Sequence, residues 1–113
     1  MIQDVLAYLP HYGLNLLLEL PIVLLVLGRS CGWRRSALAC ILGNTLTHPP
    51  LFLVFPRVLP SWGVALLVGE VLALTVEWAV YSIVARPKVA ALALTASAAA
   101  NLCSLTAGVA IFA

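Results

Sequence analysis

Residues 63–85 read GVALLVGEVLALTVEWAVYSIVA, an unbroken apolar run with no basic residue and two glutamates, Glu70 and Glu77. Its apolar side chains do not alternate with period two, so it does not read as a half-buried strand. It is long enough to cross a ~30 Å hydrocarbon core as one helix. Three further runs of the same kind flank it, at about 9–28, 36–55 and 89–112. None alternates, which excludes a β-barrel. The spacing predicts an all-α integral membrane protein, a four-transmembrane-helix bundle forming one membrane domain over 1–113.

Composition agrees with that reading. Of 113 residues, 64% are hydrophobic and 9% charged, against roughly 25% charged in ordinary soluble domains. A soluble fold this poor in charge could not cover its surface, so the lipid bilayer is the expected solvent. The basic residues lie in short clusters between apolar runs and form no nucleic-acid patch. No basic residue precedes Arg29, so a secretory signal peptide is not expected. Cys31, Cys40 and Cys103 form no C-x-x-C pair and read as small packing residues.

Five of the six Lys/Arg occupy two turns, Arg29–Arg35 and Arg86–Lys88, while the middle turn holds Arg57 alone. The positive-inside rule places those two turns in the cytoplasm and both termini outside, N-out/C-out, in a bacterial inner membrane. Tyr12 and Trp62 at the outer ends and Trp33 at the inner end are expected to anchor the helices at the interfaces.

The halves of the chain resemble each other. Asn44 follows Glu19 by 25 residues and Asn101 follows Glu77 by 24, with Thr47 and Ser104 three residues beyond each asparagine. Arg29 and Arg86 follow their glutamates by ten and nine residues. Two parallel helix-hairpin repeats, about 9–55 and 63–112, are expected. Both would enter the membrane in the same direction, with a pseudo-twofold axis along its normal.

Glu19, Glu70 and Glu77 are three of only four acidic residues; the fourth is Asp4. A carboxylate at bilayer depth costs several kcal/mol unless compensated, and so marks a functional site. Counted from the basic turns, Glu19, Asn44 and Glu77 lie roughly 14–15 Å deep at ~1.5 Å per residue, with Asn101 roughly 20 Å deep. Each glutamate is expected to pair with the asparagine of the following helix. Thr47 and His48 share a face with Asn44, as Tyr81 does with Glu77. His11, Asn15 and Glu19 fall at i, i+4 and i+8, and Ser97, Asn101, Ser104 and Gly108 line one stripe. The run His48-Pro49-Pro50 should kink or break the second helix, and Pro21 should do the same more mildly.

The candidate site is therefore Glu19, Asn44, His48, Glu70, Glu77 and Asn101, supported by Thr47, Tyr81 and Ser104. Hard oxygen ligands of this kind suit cations or proton exchange. Carboxylates brought together in low dielectric cannot all ionise, so one is expected to carry a proton. The leading expectation is cation- or proton-linked transport, or a channel component, acting as a homo-oligomer, with His48 and Glu70 on the outer access path. A second is a non-catalytic accessory subunit among partner membrane subunits. A third is an intramembrane metal-dependent enzyme, with Glu19, His48 and Glu77 holding the metal. No cofactor is named by the sequence. In length and helix count the chain resembles the small multidrug resistance transporters, which also carry a glutamate in their first helix. The likeness is architectural, since Leu18-Glu19-Leu20-Pro21 does not follow their motif.

Overall fold

A computed structural model describes residues 2–112, without the side chains of residues 2, 4, 5, 51, 52, 55, 56, 62, 108, 109, 111 and 112. The expected roles of Trp62 as an anchor and of Gly108 on the fourth stripe lie outside that description. The described chain is helical throughout its regular structure: α1 (Ile2–Cys31), α2 (Trp33–Pro49), a short α3 (Phe55–Val58), α4 (Trp62–Val80) and α5 (Ala90–Phe112). Two π-helical turns, Pro50–Val54 and Tyr81–Ala85, extend α2 and α4.

Three helical stretches are long and apolar enough to cross a membrane: Leu6–Cys31, Gly63–Ala85 and Ala90–Ala107. The second expected span, 36–55, is not one continuous α-helix. Its α-helical part has 17 residues, or roughly 25 Å at ~1.5 Å per residue. Pro49 and Pro50 supply no N–H, so the carbonyls of Thr45 and Leu46 lose their α-helical partners. The backbone then shifts to π register from Pro50. Pro21, by contrast, leaves α1 unbroken. Its helix continues into Val23 and Leu27, both fully buried, and that packing holds the turn together across one missing hydrogen bond.

α1 packs against α2 and α5, and α4 packs against the same two helices. The bundle is therefore a ring in the order α1–α2–α4–α5. Its apolar core comprises Val23 and Leu27, Ala39 and Cys40, Tyr81 and Ala85, and the small residues Ala93, Ala96 and Ala100 of α5. Alanines let α5 approach its neighbours closely, and the Ser97 hydroxyl uses that proximity to donate to the Leu74 carbonyl of α4 at 2.8 Å. Ser97→Ala is expected to cost about 0.6 kcal/mol, the usual size of an interhelical bond in lipid. Reversible unfolding in mixed micelles measures this, and a cost several times larger would give Ser97 a different role.

Both tight turns use left-handed backbone. Gly32 (φ 85°) joins α1 to α2, and Arg86 (φ 53°) ends the π turn by donating its N–H to the Tyr81 carbonyl at 3.2 Å. Pro87 follows Arg86 and disfavours the right-handed helical region there. The Lys88 backbone N–H donates to the Ser30 hydroxyl at 3.3 Å. The two basic turns thus meet at one end of the bundle.

Candidate functional site

Glu19 and Glu77 are each 0 % exposed. Spacing explains why: Asn15, Glu19, Val23 and Leu27 recur at four-residue intervals on the buried face of α1, and Ala73, Glu77, Tyr81 and Ala85 do so along α4 and its π turn. The two carboxyls lie within each other's electrostatic reach, and Glu70 is within reach of both. Among the described residues no Lys or Arg pairs with either carboxyl.

Glu77 accepts a hydrogen bond on Oε2 from Asn101 Nδ2. Its other oxygen, Oε1, faces the Thr47 hydroxyl of α2 at 3.3 Å. Glu19 and Asn44 are joined through an intermediary: Asn15 Nδ2 donates both to Glu19 Oε2 and, at 2.6 Å, to Asn44 Oδ1. Glu19 Oε1 is buried without a hydrogen-bond partner, with the Ser104 hydroxyl of α5 close by. The hydroxyls therefore cross between halves. Thr47 serves the glutamate of α4, and Ser104 sits beside that of α1.

The amide orientations are fixed by backbone carbonyls, which only accept. Asn44 Nδ2 donates to the Cys40 carbonyl and Asn101 Nδ2 to the Ser97 carbonyl, each at 2.8 Å. Each nitrogen also lies near the side-chain atom of the same residue, Cys40 Sγ at 3.5 Å and Ser97 Oγ at 3.4 Å. With Asn44 Oδ1 fixed as an acceptor, Asn15 must present its nitrogen to it, and hence to Glu19 as well. Thr47 Oγ1 donates to the Gly43 carbonyl at 3.0 Å and Ser104 Oγ to the Asn101 carbonyl at 3.2 Å.

At Gly43, α2 approaches α4 closely. A Cβ there would lie 3.0 Å from Glu77 Cγ and 3.5 Å from Tyr81 Cε1. Tyr81 is fully buried, its hydroxyl has no hydrogen-bond partner, and the Cys40 thiol is nearby.

His48 faces α1. Its ring centroid lies 6.5 Å from Tyr8 and 6.1 Å from Tyr12, edge-on to the latter, and its Nδ1 is buried without a hydrogen-bond partner. His11 is within electrostatic reach. Tyr12, expected as an interfacial anchor, bonds the Thr45 hydroxyl at 2.7 Å and packs into this aromatic cluster. Trp33 is exposed, with the Arg34 guanidinium 5.3 Å from its ring centroid. Glu70 is half-buried on α4, and among the described residues no hydrogen bond joins it to His48. Nor do three His, Cys, Asp or Glu side chains converge as a metal-binding group among the described residues, so Glu19, His48 and Glu77 are not drawn together in that role. The three cysteines are free thiols.

Sequence reading passed over Asn15 as a site residue, although its i, i+4 spacing to Glu19 was the available signal. It also passed over Cys40 and Ser97, whose carbonyls orient the asparagines four residues on. No protein-family model matches the chain, and no curated protein or solved structure matches it.

Proposed function

We propose that this chain is a four-span membrane protein built from two parallel hairpin repeats, whose buried glutamates Glu19 and Glu77 handle a proton or cation in a transport or channel process, as a homo-oligomer. In this reading the basic turns are cytoplasmic and the membrane is the bacterial inner membrane. α2, its π turn and α3 together supply the second crossing. The carrying observation is the pair of fully buried carboxyls, with no Lys or Arg partner among the described residues. Such groups cannot both stay ionised in low dielectric, so at least one must take up a positive charge from outside the fold. A group that must take up and give back a charge is what ion-linked transport needs.

Repetition is supported by burial. The buried positions 15, 19, 23 and 27 of α1 recur 58 residues on at 73, 77, 81 and 85. Positions 36, 39, 40, 43 and 44 of α2 recur 57 residues on at 93, 96, 97, 100 and 101. The hydrogen bonds of Asn44 to Cys40 and of Asn101 to Ser97 match in the same register.

The test is flux. Reconstituted into liposomes with an internal pH dye and an imposed proton or cation gradient, the protein is expected to move charge. Glu19→Gln and Glu77→Gln are each expected to reduce the rate to that of empty liposomes. Wild-type flux in both variants would end this reading.

A second reading, an accessory subunit, draws on the outer face of α5. There Ala99, Leu102, Cys103, Thr106, Ala107 and Ala110 form a shallow apolar groove of the small-residue kind on which another membrane helix packs. A stable homo-oligomer purified without any partner would count against it.

A further inference from the structure

We infer that the ion held between the helices is a proton and not a metal cation, carried on Glu19 Oε1 and Glu77 Oε1 with the Ser104 and Thr47 hydroxyl oxygens as acceptors. This rests on the proposed ion-handling role of the two glutamates and specifies its ligand.

A metal ion needs lone pairs converging on it. Here the amides that address the carboxyls present hydrogens. Asn15 Nδ2 donates to Glu19 Oε2 and Asn101 Nδ2 to Glu77 Oε2. Neither amide can turn its oxygen inward without cost. Turning Asn101 would set Oδ1 against the Ser97 carbonyl, which its nitrogen now bonds at 2.8 Å. Turning Asn15 would set Oδ1 against Asn44 Oδ1, held in place by the Asn44–Cys40 bond. On each carboxyl, one oxygen is therefore dressed as an acceptor.

The other oxygen meets the opposite arrangement. Thr47 has one hydroxyl proton and two acceptors within reach, the Gly43 carbonyl at 3.0 Å and Glu77 Oε1 at 3.3 Å; given to the nearer, as Ser104 gives its own to the Asn101 carbonyl at 3.2 Å, it is not available to the carboxyl. The lone pairs of both hydroxyl oxygens are left to receive. Thr47 Oγ1 lies 3.3 Å from Glu77 Oε1, and Ser104 lies beside Glu19, whose Oε1 is buried and unpartnered. An acceptor oxygen on one side and a donor O–H on the other is the hydrogen-bonding pattern of a neutral carboxylic acid. A carboxylate would leave Glu19 Oε1 as a buried bare anion, the costly state. A proton on that atom removes the orphan. Loading transfers one proton from a hydronium ion to Oε1 and leaves a water molecule, and release is the reverse, with no redox step. The other titratable groups within electrostatic reach of the pair are, among the described residues, Glu70 from α4, Cys40 from α2 and Tyr81 from the π turn, while α5 contributes neutral Asn101 and Ser104.

Infrared difference spectroscopy on the protein in lipid vesicles reads this directly. A C=O stretching band of protonated carboxyl is expected at neutral pH, to diminish as pH rises and to lose one component in Glu19→Gln and another in Glu77→Gln. Thr47→Ala and Ser104→Ala are expected to shift their own component while keeping it, because the O–H loses its acceptor. These two carry the test should a Gln variant fail to fold. Additions of sodium, potassium, magnesium, calcium or zinc chloride at fixed pH are expected to leave the carboxyl bands unchanged. A saturable change with any one cation, lost in Glu19→Gln or Glu77→Gln, would overturn the inference, as would the lack of a protonated band. Glutamate-dependent flux together with cation-sensitive bands would sink the proton assignment alone. Titrating protonated bands without glutamate-dependent flux would sink the transport reading alone.

Discussion

Asn15→Leu is expected to destabilise the bundle by about 2–5 kcal/mol, measured by reversible unfolding in mixed micelles. An interhelical hydrogen bond in lipid contributes about 0.6 kcal/mol on average, because the separated helices find other partners. Asn15 differs in that one nitrogen serves two buried acceptors, Glu19 Oε2 and Asn44 Oδ1. Leucine fills the volume and leaves both acceptors bare, at about 1–3 kcal/mol each. Asn101→Leu, which leaves Glu77 with Thr47, is expected to cost less. Adding Asn44→Leu to Asn15→Leu should recover part of the loss, since it removes one of the stranded acceptors; strict additivity of the two would show that they are not coupled. An Asn15→Leu cost below that of Ser97→Ala would refute the bridging role.

Gly43→Leu is expected to cost about 3 kcal/mol, near the upper end of ordinary overpacking. The first carbon of the new side chain already sits 3.0 Å from Glu77 Cγ. That atom cannot swing away freely, because its carboxyl is held by Asn101 and Thr47. The remaining carbons would press on the buried Tyr81 ring and part α2 from α4. Gly43→Ala is the informative control. It asks Glu77 to give by a few tenths of an ångström and gains about 1 kcal/mol of helix propensity, so near-neutral stability is expected. The residue 57 positions later is Ala100, buried in the apolar core of the bundle. Equal stability of Gly43→Leu and the wild type would show that the close approach is not a constraint.

Much of this was legible in the residues. α4 with its π turn runs over the stretch expected at 63–85, and α5 over that expected at 89–112, because those runs are apolar to both ends and punctuated by Ser61 and by Arg86-Pro87. The link of Glu77 to Asn101 followed from spacing along two helices joined by a short turn. What spacing could not supply was contact across the ring. Whether Asn44 reaches Glu19 itself or stops at Asn15 depends on how far apart α1 and α2 pack. That distance depends on how the two helices pack as a whole, including the buried apolar residues Val23, Leu27 and Ala39. Thr47 was read with its own hairpin, whereas its rotation about α2 aims it at α4. The break in α2 was legible in His48-Pro49-Pro50, but the change to π register beyond it was not, because the apolar run continues through it.

The crossing of hydroxyls between halves has a consequence for biosynthesis. In chain order, Glu19 leaves the ribosome with Asn15 already on the same turn of helix, so the first acid to enter lipid brings its own donor. Glu77 has Ala73 at the matching position and carries none. By the time it is inserted, however, the Thr47 hydroxyl stands ready from the hairpin before it, as an acceptor for the protonated acid. A circular permutant that begins with the second hairpin would send Glu77 into the bilayer unescorted. It is that order of arrival, and not the finished set of contacts, that would decide how well such a chain inserts.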